Sequence, residues 1–295
     1  MQRTMKPNIP KTGNRRDVLA VMGIGFAWSG LMVLLVFLLY VLQGMLNIGY
    51  EYVLETGADG EEMWRVIPPD LDFALAASVL LTLALLYWRL RRKKQIYPGA
   101  FSLRPLRPYT KGLALVCLCY AARGLLYTMS GALGLPFGEG IGGALRNAAV
   151  MVLLALFSML LCEGRSIGYL RGKGRNDGEI VDVIARATLV ENILAGLLSV
   201  ARAYLDGESI GVVSTEDVLA LLNGIAFAVL CSRLYLVSGS MMGRGILHSV
   251  SWLFTVAETS YSIWLFVADA VLLIALCAAI RTVKEKTGRH ENGLT

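Results

Sequence analysis

The sequence predicts an all-α fold: a polytopic membrane helical bundle of about eight transmembrane spans with both termini cytoplasmic. Three observations predict it. Of 295 residues, 56% are hydrophobic and only 17% charged, where ordinary soluble domains carry about 25% charged residues. The mean hydropathy is +0.59. Apolar runs of roughly 18 or more residues, each able to cross a hydrocarbon core of about 30 Å, recur along the chain. So little charge excludes a soluble enzyme, a disordered chain and a disulfide-rich secreted module.

The spans follow in order. A basic tail at 1–17, with Arg3, Lys6, Lys11, Arg15 and Arg16, precedes span one at about 18–46. That run is too long for a signal-peptide core and lacks a small-x-small cleavage site, so it reads as a retained anchor. An acidic loop follows, with Glu51, Glu55, Asp59, Glu61 and Glu62. Span two, about 71–88, ends in Arg89, Arg91, Arg92, Lys93 and Lys94. A connector with Pro98, Pro105 and Pro108 is too polar to cross. Spans three and four lie at about 112–133 and 143–161, followed by a basic, Gly-rich segment at 163–182. Span five covers about 183–205, an acidic loop 206–217, and span six about 218–237. A Gly-Ser-Met-Met-Gly-Arg link leads to a short span seven at about 245–257. Span eight, about 261–280, precedes a second basic tail at 281–295.

Charge orients the spans. Basic residues cluster in alternate connections and in both tails, while Arg65 is the outer loops' lone cation and acidic residues fill those loops. Lys and Arg in short loops stay cytoplasmic, so the chain reads as a multi-pass protein of the cell membrane. The same distribution explains the net charge of +6 through lipid contact, with no nucleic-acid partner. Span seven is short at 1.5 Å per residue, which keeps a seven-span topology with a re-entrant segment open. The five cysteines lie in or beside apolar spans and form neither a disulfide framework nor a zinc pattern.

Ionisable residues inside the spans are the functional candidates, because a charge in hydrocarbon must be paired, hydrated or neutralised. They are Arg123, Arg146, Glu163, Glu191, Arg202, Arg233, Glu258, Asp269 and, at the start of span seven, His248. Depth places Glu163, Glu191, Arg233 and His248 in the cytoplasmic half, with Glu191 and Arg233 expected to pair. Each has a plainer reading. Arg146 and Glu258 are near enough to span ends to snorkel. Glu191 with Arg233 serves equally as a structural ion pair, and Glu163 as a partner of the basic loop.

The order of these residues resembles a known family. The stretch Met159-Leu-Leu-Cys-Glu-Gly-Arg-Ser-Ile-Gly-Tyr-Leu170 is similar to the first motif of the CAAX-protease and bacteriocin-processing (CPBP) family of intramembrane metalloproteases. That motif has two glutamates, three residues, then Arg-Gly and an aromatic-aliphatic pair. Cys162 occupies the first glutamate position and Glu163 the second; Ile167 replaces the arginine, while Gly168, Tyr169 and Leu170 match. The second motif, Phe-x-x-x-His, falls at 198–202 with Arg202 in the histidine position. The third resembles Leu234-Tyr-Leu-Val-Ser-Gly-Ser240 and then Gly245-Ile-Leu-His-Ser-Val-Ser-Trp252, with Trp252 where Asn or Asp is expected. Phe101-Ser-Leu-Arg-Pro-Leu-Arg107 looks like the family's connector, and the likeness spans about 80–252.

The resemblance implies a metal-dependent endopeptidase acting on a membrane-associated peptide or protein. Glu163 would then be the general base, His248 a ligand or oxyanion donor, and zinc the metal if the chain is active. The three departures Cys162, Arg202 and Trp252 imply the other outcome: a protease fold that has lost its chemistry and binds a peptide or partner. A small-solute transporter using Arg123 and Asp269 is a third reading.

Overall fold

The computed structural model describes residues 13–46, 48, 51–56, 62–67, 71–96, 99–129, 140–205, 215–253 and 263–292. The fold is a helical bundle. Its helices are α1 (Gly13–Met45), α2 (Leu71–Arg92), α3 (Thr110–Met129), α4 (Gly140–Met159), α5 (Gly168–Gly172), α6 (Asp177–Leu205), α7 (Thr215–Ser238), α8 (Met242–Leu253) and α9 (Ile263–Asn292). A π-helical stretch, Leu160–Ile167, joins α4 to α5, and a 3-10 turn, Arg104–Tyr109, leads into α3.

Six described helical stretches are long and apolar enough to cross a membrane: Arg15–Met45, Phe73–Arg92, Ala149–Gly172, Asp177–Ala201, Asp217–Ser238 and Leu265–Glu285. This is a membrane protein by length and composition. Spans one, two, four, five, six and eight of the sequence fall on them. Span seven becomes α8, whose 12 residues rise only about 18 Å.

The bundle fits the all-α expectation, with one local addition. The acidic loop after α1 holds an antiparallel hairpin, β1 (Glu51–Thr56) against β2 (Glu62–Ile67), with Leu54 opposite Trp64. Tyr52, Val53, Trp64, Val66 and Ile67 favour strands, and Gly57 and Gly60 sit in the connection. The acidic composition hides that signal, and the cross-strand pair Leu54 and Trp64 is exposed.

Local sequence fixes the helix ends that matter for the site. α6 starts with a reciprocal cap: Asn176 Oδ1 accepts the Glu179 N–H at 2.9 Å, and Glu179 Oε2 accepts the Asn176 N–H at 3.1 Å. α7 stops at Gly239, whose φ of 69° suits glycine and whose N–H donates to Tyr235 O at 2.8 Å.

Two apolar clusters share α7. One joins α1, α2, the π-helix and α6 through Met22, Leu90, Leu160, Ile167 and Ile184, and takes Ala228 and Tyr235 from α7. The other joins α3, α8 and α9 through Val116, Leu247 and Leu276, and takes Phe227 and Leu234. Adjacent residues of α7 thus serve opposite sides, which makes it the central helix.

One end of the bundle collects the basic segments. Asp17, buried at the start of α1, accepts from Lys173 Nζ at 2.9 Å and Arg175 Nη2 at 2.7 Å. Arg165 Nη1 donates to Gln95 Oε1 at 3.4 Å just past α2. The α7–α8 turn is pinned to the connector, with Met241 N–H donating to Ala100 O at 2.8 Å and Ser240 Oγ–H to Ser102 O at 2.6 Å. The start of α1, the end of α2, the connector and both turns therefore lie on one side.

Candidate intramembrane site

A cavity of about 500 Å³ opens among α1, α4, the π-helix, α6, α7 and α8. Apolar side chains make most of its wall, and the polar residues on it include Cys162, Ser166, Thr188, Glu191, Arg244 and His248. The π-helix matters here. Its i→i+5 winding adds a residue per turn relative to the i→i+4 ladder, and such segments re-aim side chains at functional sites. Cys162 lines the cavity, while Glu163 next to it points into the protein and is fully buried.

Glu163 is not free. Its Oε1 accepts from Arg244 Nε at 2.6 Å, and both side chains are almost wholly enclosed, at 1% and 5% exposure. The pair joins the π-helix to the first turn of α8. Arg244 and His248, four residues apart, lie on one helical face and share Phe227: the guanidinium carbon sits 5.6 Å from that ring's centre and the imidazole 5.1 Å. Glu163 Oε2 and Arg244 Nη2 are buried with no hydrogen-bond partner among the described residues.

The cavity brings Glu191 to the same wall, half-buried on α6, but leaves Arg233 out. The expected Glu191–Arg233 pair does not form among the described residues. The charge acting on Glu191 is Arg244, and its carboxylate lies against α1, with Oε1 3.3 Å from where a Cβ on Gly25 would stand. Arg233 shares the depth of Glu191 but belongs to another face of α7, and depth alone does not define a contact.

The aligned second motif also lies away from the site. The α6 residues on the cavity are Ile184, Ala187, Thr188 and Glu191. Arg202 is 11 positions beyond Glu191, about 16 Å along the helix. The side chains of Arg146, Arg202 and Trp252, and the whole of Glu258, lie outside the described residues. Ile167 packs fully buried in the core where the resemblance expects arginine. Arg123 and Asp269 bond to each other between α3 and α9, and Asn223 Nδ2 donates to the Asp269 carbonyl at 3.2 Å.

Zinc does not fit the donors present. A catalytic zinc commonly takes three protein ligands plus water, and among the described residues no group of three His, Cys, Asp or Glu could hold a metal ion. Glu163 faces Arg244 instead, and a guanidinium offers no lone pair to a cation.

Arg244 is the residue that sequence reasoning missed. Its link of glycines, serine and methionines reads as a cytoplasmic loop, where an arginine is ordinary. The available signal was the Arg-x-x-x-His spacing at a helix start. No family model, no curated protein and no solved structure matches the chain.

Proposed function

We propose that this chain is a CPBP-like protein of the cell membrane, with both termini cytoplasmic, whose cavity binds a membrane-associated peptide or protein segment without cutting it. The Glu163–Arg244 ion pair carries the reading. A general base must present a lone pair to the proton it removes, directly or through one water. Arg244 takes Oε1, and Oε2 is shut away from the cavity by burial. Glu163 thereby acts as a strut that holds Arg244, and through α8 His248, on the cavity wall. The cavity's size lies within the range of about 300–1,000 Å³ typical of ligand sites. The mutual bond of Arg123 and Asp269 supports a structural role for them over solute transport.

The test is proteolysis of membrane-tethered peptides by the reconstituted protein, with and without a zinc chelator, on wild type and Glu163→Ala. The expected result is no cleavage attributable to either, with no stoichiometric zinc in the purified protein. Cleavage abolished by both treatments would overturn the reading and make Glu163 the base of an endopeptidase.

A further inference from the structure

Two groups on the cavity wall ask for a ligand of particular chemistry. Glu191 makes no hydrogen bond or ion pair among the described residues, although it sits in an apolar span. A carboxylate in such surroundings is costly unless something neutralises it. Arg244, on the same wall, spends Nε on Glu163. The ion pair of Glu163 and Arg244 is neutral as a unit, so Glu191 is the charge left over. The wall therefore offers one anionic acceptor, with the Arg244 guanidinium on the same lining, among Val21, Leu154, Phe157 and Ile184.

A matching ligand carries a cationic amine next to a hydrogen-bond acceptor, on an apolar body. Size narrows it further. One turn of α-helix, 5.4 Å long and about 10–12 Å across, would roughly fill 500 Å³. The cavity thus suits the end of a chain, not a helix passing through. We infer that it takes the free N-terminus of a hydrophobic peptide, with the α-ammonium on Glu191 and the first carbonyl turned toward the guanidinium of Arg244. This rests on the peptide-binding reading above and names the part of the peptide that is recognised. Gly25 belongs to the same device: with no side chain there, α1 leaves room for the Glu191 carboxylate.

The experiment compares two versions of one hydrophobic decapeptide, labelled at its C-terminus, one with a free amine and one N-acetylated. Binding is measured to the full chain in phosphatidylcholine nanodiscs. A charge-assisted hydrogen bond supports a preference of about tenfold or more for the free amine. Glu191→Gln, with folding checked by thermal melting, should abolish that preference while the acetylated peptide binds as before. Equal binding of both peptides to wild type overturns the N-terminal assignment and leaves the peptide-binding reading intact. Binding of neither overturns both. Competition by phosphatidylethanolamine as strong as by the free peptide overturns the peptide assignment in favour of a lipid amine.

Discussion

Arg244 and Glu163 are two charges that neither water nor lipid solvates, so each depends on the other. Removing one partner of such a pair typically costs about 3–5 kcal/mol, whereas replacing both with apolar residues of similar volume is often neutral or better. Glu163→Leu or Arg244→Met alone should therefore lower stability by about that much, and the double variant should recover most of it. Unfolding in detergent reads the coupling; additive losses would show that the two side chains act independently. Glu163 and His248 were legible in the sequence because an ionisable residue inside an apolar run stands out. Arg244 was not, since a polar link at a membrane surface accommodates arginine at no cost. The Glu191–Arg233 expectation failed for a related reason: the apolar spans show depth, but lipid-facing and protein-facing sides of α7 are equally hydrophobic, so azimuth cannot be read from them.

Among elements, the clearest engineered-looking contact is the clasp between the start of α1 and the turn after α5. Asp17 receives Lys173 and Arg175 together, and Gly174 between them has a φ of 71°, which lets both side chains turn to one carboxylate. Lys173 holds its proton above the ordinary lysine range, first through its hydrogen bond with Tyr169 and then through Asp17. The sign follows. A raised lysine pKa contributes stability in full below the unfolded value of about 10.4, and that contribution is lost as pH rises through the folded value. Wild type should therefore lose more stability than Asp17→Asn between pH 10 and 12. Identical alkaline profiles in thermal melts would remove the clasp from the account. The sequence marked both partners as cytoplasmic, but a salt bridge 156 residues apart leaves no periodicity to read. The hairpin escaped for the opposite reason, being local yet embedded in an acidic loop whose charges mask its strand formers. The six long helices were legible because each carries its own signal, an apolar run of membrane length.

For the whole molecule, the contacts that gather the basic segments at one end agree with the charge asymmetry that orients them. Reporters fused after Thr295 and within 172–179 should report cytoplasm, and one within 207–216 the opposite side. An external C-terminus would leave an odd number of crossings and return α8 to a re-entrant role. Six of the eight spans fall on described helices long and apolar enough to cross, while α3 on span three and α8 on span seven are not among them; 12 residues cannot distinguish a half-crossing from a tilted short one.

The π-helix has a consequence for how this chain can change in length. Leu160–Ile167 closes its turns with one residue more than an α-helix uses. Deleting a single residue there lets the stretch return to ordinary α-helical winding, and the residues after it largely keep their azimuth. Ile167 and Leu170 would then keep their places in the core. The extra residue is therefore what sets the aim of Cys162 and Glu163, one on the cavity and the other on Arg244.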